Sequence, residues 1–267
     1  METTAENRSY MEIHPTAVVD PKAELAAGVK IGPYSFIGSG VVIGRDTWIG
    51  PHVSIEGNTR IGERNRISPF ASIGSPPQDV GYKGEDTRLE IGDDNVIREY
   101  ATINRATTKE DWVTIIGNGN YIMAYAHIAH DCRLGDKIIM SNVATLGGHI
   151  QIGDHAILGG LVAVHQFVRI GPYAFLGAKS GIDRDVPPYM ITAGPRAKLY
   201  GINRKGLERL GFKREVVDEL KMAYRIIWRE NRTFREGLEE AGRRLRPSPE
   251  LELLINFLKD SRRGILR

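Results

Sequence analysis

The chain has one cysteine, Cys132, in 267 residues. That excludes an intrachain disulfide and a cysteine-built metal centre. No apolar run is long enough to span a bilayer. No basic, apolar, then small-residue leader opens the sequence, so a cytoplasmic location is expected. Residues 1–10 read as a polar, poorly ordered start. Net charge is also low, at +3, but it is unevenly placed. From Pro195 onward 19 lysines and arginines stand against 11 aspartates and glutamates, a net +8; the preceding part carries 17 against 22, a net −5. A basic end of this kind points to an acidic partner or an anionic ligand, or else to a solvated helical face.

What the chain has in quantity is a period of six. Aliphatic residues recur at Ile13, Val19, Leu25 and every sixth position to Ile73, again at Ile91, Ile97 and Ile103, and then from Ile116 to Ile182. A small or β-branched residue usually follows four places on, as at Val53, Ala71, Ala126, Cys132 and Ala144. Six is neither the 3.6 of a helix nor the 2 of a strand. Hexads are the mark of parallel β-helices, in which stacked coils share one core. Three hexads, about 18 residues, close one triangular coil, and coils repeat at the strand spacing of about 4.8 Å. Cys132 falls on a small inward position and reads as a core thiol.

The predicted organisation is an N-terminal extension over 1–11, a β-helix over 12–190 and a helical domain over 191–267. Two breaks interrupt the hexads. Between Ile73 and Ile91, Asp79 and Glu85 occupy aliphatic places, and between Ile103 and Ile116 the count falls out of phase. Both predict outward loops, which in solenoids often lie on a binding face. Pro187 and Pro188 end the repeat. Val216, Val217, Leu220, Ala223, Tyr224 and Ile227 then form a helical stripe. Thr233 with Glu236 predicts a capping box, and Ser248 followed by Pro249 starts a last helix.

Stacking at 18 residues gathers histidines. His130 lies beneath Gly148, which lies beneath Gln166; Asp131 lies beneath His149, which lies beneath Phe167; His127 and His165 sit beside this ladder. His14, His52 and His155 belong to ordinary hexads. Three readings of the cluster remain open: a polar corner of satisfied histidines, a metal site, and general base catalysis. On the third, Asp131 fixes the tautomer of His130. Gly148 offers an unshielded N–H to an oxyanion. A base and an oxyanion donor with no serine or cysteine nucleophile suggest direct acyl transfer to a hydroxyl or amine.

Here the sequence resembles the hexapeptide-repeat acyltransferases, and among them the family that acylates UDP-N-acetylglucosamine at the start of lipid A biosynthesis. The matching stretches are AHIAHDC, ATLGGH, AVHQF, SGIDRDVPPY and GINRKGLERLGF. The resemblance implies a left-handed parallel β-helix with a C-terminal α-helical domain, assembled as a homotrimer with sites in the clefts between subunits. It implies transfer of a 3-hydroxyacyl group from acyl carrier protein to the sugar 3-hydroxyl, with no cofactor, metal, nucleic acid or membrane span. It assigns the base to His130 and the oxyanion donor to Gly148, with Asp131 as the orienter inferred from stacking. It places Asp79, His127, His149, His165, Gln166, Asn203 and Arg209 at the substrates, and Ala178 at the far end of the acyl chain.

Three positions depart from the family pattern. Gly81 stands where the family carries a lysine, with Lys83 two residues on; Lys205 stands where an acidic residue is usual; Ala178 stands where a glycine is common. The competing functions are an acyltransferase using a 3-amino UDP-sugar, a non-catalytic scaffold, and a metal-dependent hexapeptide enzyme.

Overall fold

The structure, a computed structural model, describes residues 11–230 and 233–267. Apart from Met11, the extension predicted over 1–11 lies outside the described residues. From Glu12 onward each hexad makes a short strand, mostly of two residues, and a turn. Three strands complete a coil, and the described residues form three sheets of eleven, nine and eight strands. Register follows the aliphatic residues. Ile13, Ile31, Ile49 and Ile67 pair up the first sheet, Ile37, Ile55 and Ile73 up the second, and Ile43 and Ile61 up the third. The coil is a left-handed parallel β-helix, an exception to right-handed parallel crossovers. The hexad aliphatics are almost wholly buried from Ile31 to Ile182, and so are the small residues between them, Cys132 included.

Most corners of the prism turn within two residues, and the second takes positive φ. Tyr34, His52, Asp131, His149 and Phe167 all do so, at φ between 56° and 65°. That conformation costs an L-residue roughly 1 kcal/mol. Hydrogen bonds between coils hold it in place: His52 N–H donates to the Pro33 carbonyl at 2.9 Å and His149 N–H to that of His130 at 3.0 Å.

The two breaks become excursions from one corner. Ile73 pairs with Ile103, and Ile103 with Ile128, where an uninterrupted coil would pair residues 18 apart. Both surplus segments, residues 76–87 and 105–112, run from a second-sheet strand to a third-sheet strand. They therefore leave the prism at the same corner in successive coils.

Beyond Pro188 the chain is not immediately helical. Met190–Ala193 adds a parallel strand beside Phe175–Leu176, and Lys198–Ile202 returns antiparallel to it. Met190, Thr192 and Leu199 are buried, so alternation of period two resumes there and prolongs the first sheet. Helices follow: α1 (Arg204–Arg209), α2 (Arg214–Trp228), α3 (Phe234–Arg244) and α4 (Pro249–Lys259). The predicted stripe is the buried face of α2, with Val217, Leu220, Ala223 and Ile227 inside. Thr233 and Glu236 form the capping box of α3, and Ser248 caps α4 through the Leu251 N–H. The helices share a second core with Tyr189, Met190 and Leu199. Among the described residues no helix is long and apolar enough to cross a membrane.

Candidate active site

The corner that ejects both loops carries the histidines in the coils that follow. His130–Asp131, Gly148–His149 and Gln166–Phe167 are its turns in three successive coils. The His149 N–H reaches the His130 carbonyl, and the Phe167 N–H reaches that of Gly148 at 3.1 Å. The His149 and Phe167 rings stack at 4.5 Å, and His130 meets His149 edge-on at 5.2 Å.

His130 Nδ1 lies 2.8 Å from Asp131 Oδ2, and both residues are buried. Thr107 donates to the same carboxylate through its hydroxyl at 2.6 Å and through its backbone N–H. Burial alone would push the Asp131 carboxyl up. The bonds from His130 and Thr107 outweigh it and hold the carboxyl below its ordinary value. An ionised carboxylate only accepts hydrogen bonds, so Nδ1 is the nitrogen that carries the proton in the neutral His130 ring, which leaves Nε2 as the acceptor. Gly148 makes room for this ring: a Cβ there would lie 2.5 Å from His130 Cε1 and 2.9 Å from Nε2. Gly148 is a buried residue, and its N–H meets no hydrogen-bond acceptor among the described residues. A donor left without a partner beside the His130 ring is available to an incoming oxyanion.

Around this pair stand three further groups. His127 projects from the second sheet with its Nδ1 2.7 Å from Thr102 Oγ1. Burial, then the proximity of His130, lowers its pKa and favours the neutral ring. His149 lies between two carboxylates, Glu110 at 3.2 Å from Nδ1 and Asp131 at 3.7 Å from Nε2. Asp79, in the first loop, accepts from the Gly81 N–H at 2.7 Å and from Lys109 Nζ at 2.5 Å. Those two bonds, that of Lys109 foremost, hold its carboxyl below the usual range, and His130 is near enough to add to the effect.

The second loop supplies what the sequence did not identify. Thr107 binds Asp131, Lys109 binds Asp79, Glu110 faces His149 and Asp111 pairs with Arg133. Arg105 ties this loop to the first through the Tyr82 hydroxyl and to the strand before it through the Gly74 carbonyl. The broken hexad count marked where the loop leaves the coil. Its individual pairings follow no period and had no signal.

The other predicted residues lie above this cluster or at the other two corners. His165 is exposed, one residue before the ladder, with Nδ1 2.8 Å from Arg263 Nη2. Gln166 is exposed above Gly148. Asn203 caps α1 and donates to the Tyr173 carbonyl, and Arg209 is exposed at the end of α1. Asn203 therefore belongs to the corner of Tyr173 and Tyr189, between the third and first sheets. Ala178 is exposed at the remaining corner, across the second sheet from His130. No hydrogen bond or ion pair among the described residues joins these last three to the His130 cluster.

Donor atoms of His130, Asp131 and His149 lie within 4.8 Å of one another. A cation entering there would have to displace the bonds that His130 and Thr107 already give Asp131. Cys132 is excluded as a nucleophile by burial, which pushes its thiol up to about 12.

A family described as UDP N-acetylglucosamine O-acyltransferase, domain 2, matches residues 185–266, and bacterial transferase hexapeptide repeats match 10–45 and 40–75. The acyl-(acyl-carrier-protein)–UDP-N-acetylglucosamine O-acyltransferase of Thermodesulfovibrio yellowstonii is 52% identical over 96% of this chain and 99% of its own length. That of Syntrophobacter fumaroxidans is 53% identical over 96% and 100%. The solved UDP-N-acetylglucosamine O-acyltransferase of Moraxella catarrhalis superposes with a TM-score of 0.93 at 43% identity, covering 96% of this chain and 99% of that one.

Proposed function

The chain belongs to the acyl-(acyl-carrier-protein)–UDP-N-acetylglucosamine O-acyltransferase family, and from that premise we propose that it moves a 3-hydroxyacyl group from acyl carrier protein to the sugar 3-hydroxyl, the first step of lipid A biosynthesis. The observation that carries the mechanism is the His130–Asp131 contact beneath the free Gly148 N–H. His130 Nε2 takes the proton of the 3-hydroxyl as its oxygen attacks the thioester carbonyl. Asp131 stabilises the imidazolium through Nδ1. The Gly148 N–H receives the charge that develops on the carbonyl oxygen. Collapse of the tetrahedral intermediate breaks the carbon–sulfur bond, and the imidazolium returns its proton to the leaving thiolate. No residue is acylated.

Residues 12–190 carry the chemistry and 191–267 the recognition of partners in this reading. Neutral His127, His149 and Asp79 line the sugar nucleotide's approach. The outer face of the second sheet bears small side chains, Thr145, Ala163 and Gly181, between the His130 corner and Ala178. An acyl chain would lie along it with its end at Ala178. His165 and Gln166 stand above this corner, while Asn203 and Arg209 complete the site only if a neighbouring copy faces it, which a closed trimer would provide. The excess positive charge after Pro195 suits an acidic carrier protein met in the cytoplasm.

An acyl-transfer assay with defined carrier-protein thioesters tests the activity, offering UDP-N-acetylglucosamine and its 3-amino analogue in parallel. Turnover on the first acceptor is expected, and none on either would end the proposal. Light scattering should give three chains per particle; an active monomer would remove the cleft. Charge reversal at exposed lysines and arginines after Pro195 should raise the KM for the carrier protein and leave that for the nucleotide, Arg209 excepted. A KM indifferent to salt and to those reversals would move carrier recognition to the coil.

A further inference from the structure

The second loop brings a cation, Lys109, to the His130 corner with donors left over. Arg105 is committed to the Gly74 carbonyl and the Tyr82 hydroxyl, and its guanidinium lies over the Tyr82 ring. Arg133 pairs with Asp111 rather than with Asp79. Lys109 gives one bond to Asp79, and its side chain remains 57% exposed. An ammonium has three donors, so two are left for a ligand.

The charges at this corner make that significant. Asp79, Glu110 and Asp131 are three carboxylates close to His130 and His149. The acceptor in the proposed reaction carries two phosphates one sugar ring away from the hydroxyl that must reach His130 Nε2. Such an anion is repelled by the carboxylates unless a cation faces it at that distance. Asp79 holds Lys109 by one oxygen while its other oxygen is fixed by the Gly81 N–H. Gly81 contributes no side chain of its own, and the ammonium arrives instead from the neighbouring coil.

We propose that Lys109, held by Asp79, is a specificity-determining residue that binds the pyrophosphate of the sugar nucleotide. The inference rests on the acyltransferase reading and adds the residue that reads the acceptor's charge. Asp79 then acts as a positioning residue, since it directs the ammonium without itself meeting the phosphates.

The test uses the full chain and UDP-N-acetylglucosamine without acyl donor, with binding read by calorimetry. Lys109→Met keeps the stem of the side chain and removes its charge. It should weaken binding about ten- to a hundredfold, the scale of a lost charge-assisted hydrogen bond. Lys109→Arg should stay within about fivefold of the parent, because it restores the charge on a similar stem. In turnover, the Met variant should raise the KM for the nucleotide while its KM for the acyl carrier protein and its melting temperature hold. Unchanged binding by the Met variant, an Arg variant as weak as the Met, or an equal loss toward both substrates would overturn the proposal. A parent protein that neither binds nor acylates the nucleotide would instead sink the acyltransferase reading beneath it.

Discussion

Two corners of the prism are built from the same backbone and used in opposite ways. At the corner between the first and second sheets, Tyr34, His52, Phe70, Tyr100 and Tyr125 take positive φ in successive coils and stack ring on ring at 4.8–5.1 Å. The residue before three of them is proline, Pro33, Pro51 and Pro69. At the corner between the second and third sheets, the positive-φ residues include Asp131, His149 and Phe167 in three successive coils, and the residues before them are His130, Gly148 and Gln166. A corner N–H at the position before the positive-φ residue has no partner in the coil below. In three coils the first corner disposes of it with proline, which lacks the donor. The other keeps it at Gly148 and leaves it free inside the cluster. The third corner answers differently again, since the N–H groups of Glu63, Asp93, Asn118 and Asp136 each meet a carboxylate or amide oxygen from the coil above. Stacking at 18 residues supplies the geometry, and the residue chosen for the corner decides whether it yields stability or chemistry.

The comparison breaks most sharply at His130. Replacing it by Ala should lower turnover by about two to four orders of magnitude, the usual scale for a general base. The melting temperature should move little, because a corner side chain contributes nothing to the aliphatic core. Near-parental turnover in folded protein would make the second corner as inert as the first. Gly148→Ala tests the same corner from the coil above. Its Cβ would stand 2.5 Å from His130 Cε1, and the ring cannot retreat without losing Asp131. About a hundredfold loss in kcat is expected for a base displaced by an ångström. An alanine variant with unchanged kcat would show that the ring has room.

How far all this is legible in sequence depends on what each contact obeys. The period of six places Ile128, Cys132 and Leu134 in the core and puts Asp131 under His149, because a solenoid converts separation into height. The resemblance assigned roles that stacking alone left open among three readings. What neither provided lies in the loop that breaks the period. Thr107 on Asp131, Lys109 on Asp79 and Glu110 beside His149 join coils through side chains that obey no repeat. The strand Met190–Ala193 was hidden for a related reason. Two prolines precede it, and the parallel pairing that recruits it comes from Phe175–Leu176, already in place below.

At the first corner, loss of a ring should cost stability and spare activity. Tyr100 stacks on Phe70 at 5.0 Å and on Tyr125 at 4.8 Å. Tyr100→Ser should lower stability by roughly 1–2 kcal/mol, two aromatic contacts at about 0.5–1.5 kcal/mol each less solvent screening. A denaturant melt reads the loss, and kcat should be unchanged. A variant that melts normally but turns over slowly would place the aromatic ladder in the chemistry.

The smallest effect expected is one of pH, and it belongs to the sheet between the two corners. His127 is pushed below its ordinary 6.5 by burial, and by His130 after that. A histidine whose folded pKa is depressed binds its proton more weakly when folded than when unfolded. Its contribution to stability is therefore present above pH 6.5 and is lost as pH falls through the lowered folded value. Asp131, also depressed, acts in a separate window below its ordinary 3.8. His127→Gln keeps an amide able to meet Thr102 Oγ1 but carries no titrating group. Thermal melts from pH 7.5 downward should show the parental protein losing stability below about pH 6.5, and the variant losing less until the carboxylates titrate. Superimposable curves would mean that His127 takes up its proton as readily in the fold as outside it. The neutral ring beside His130 would then have no basis.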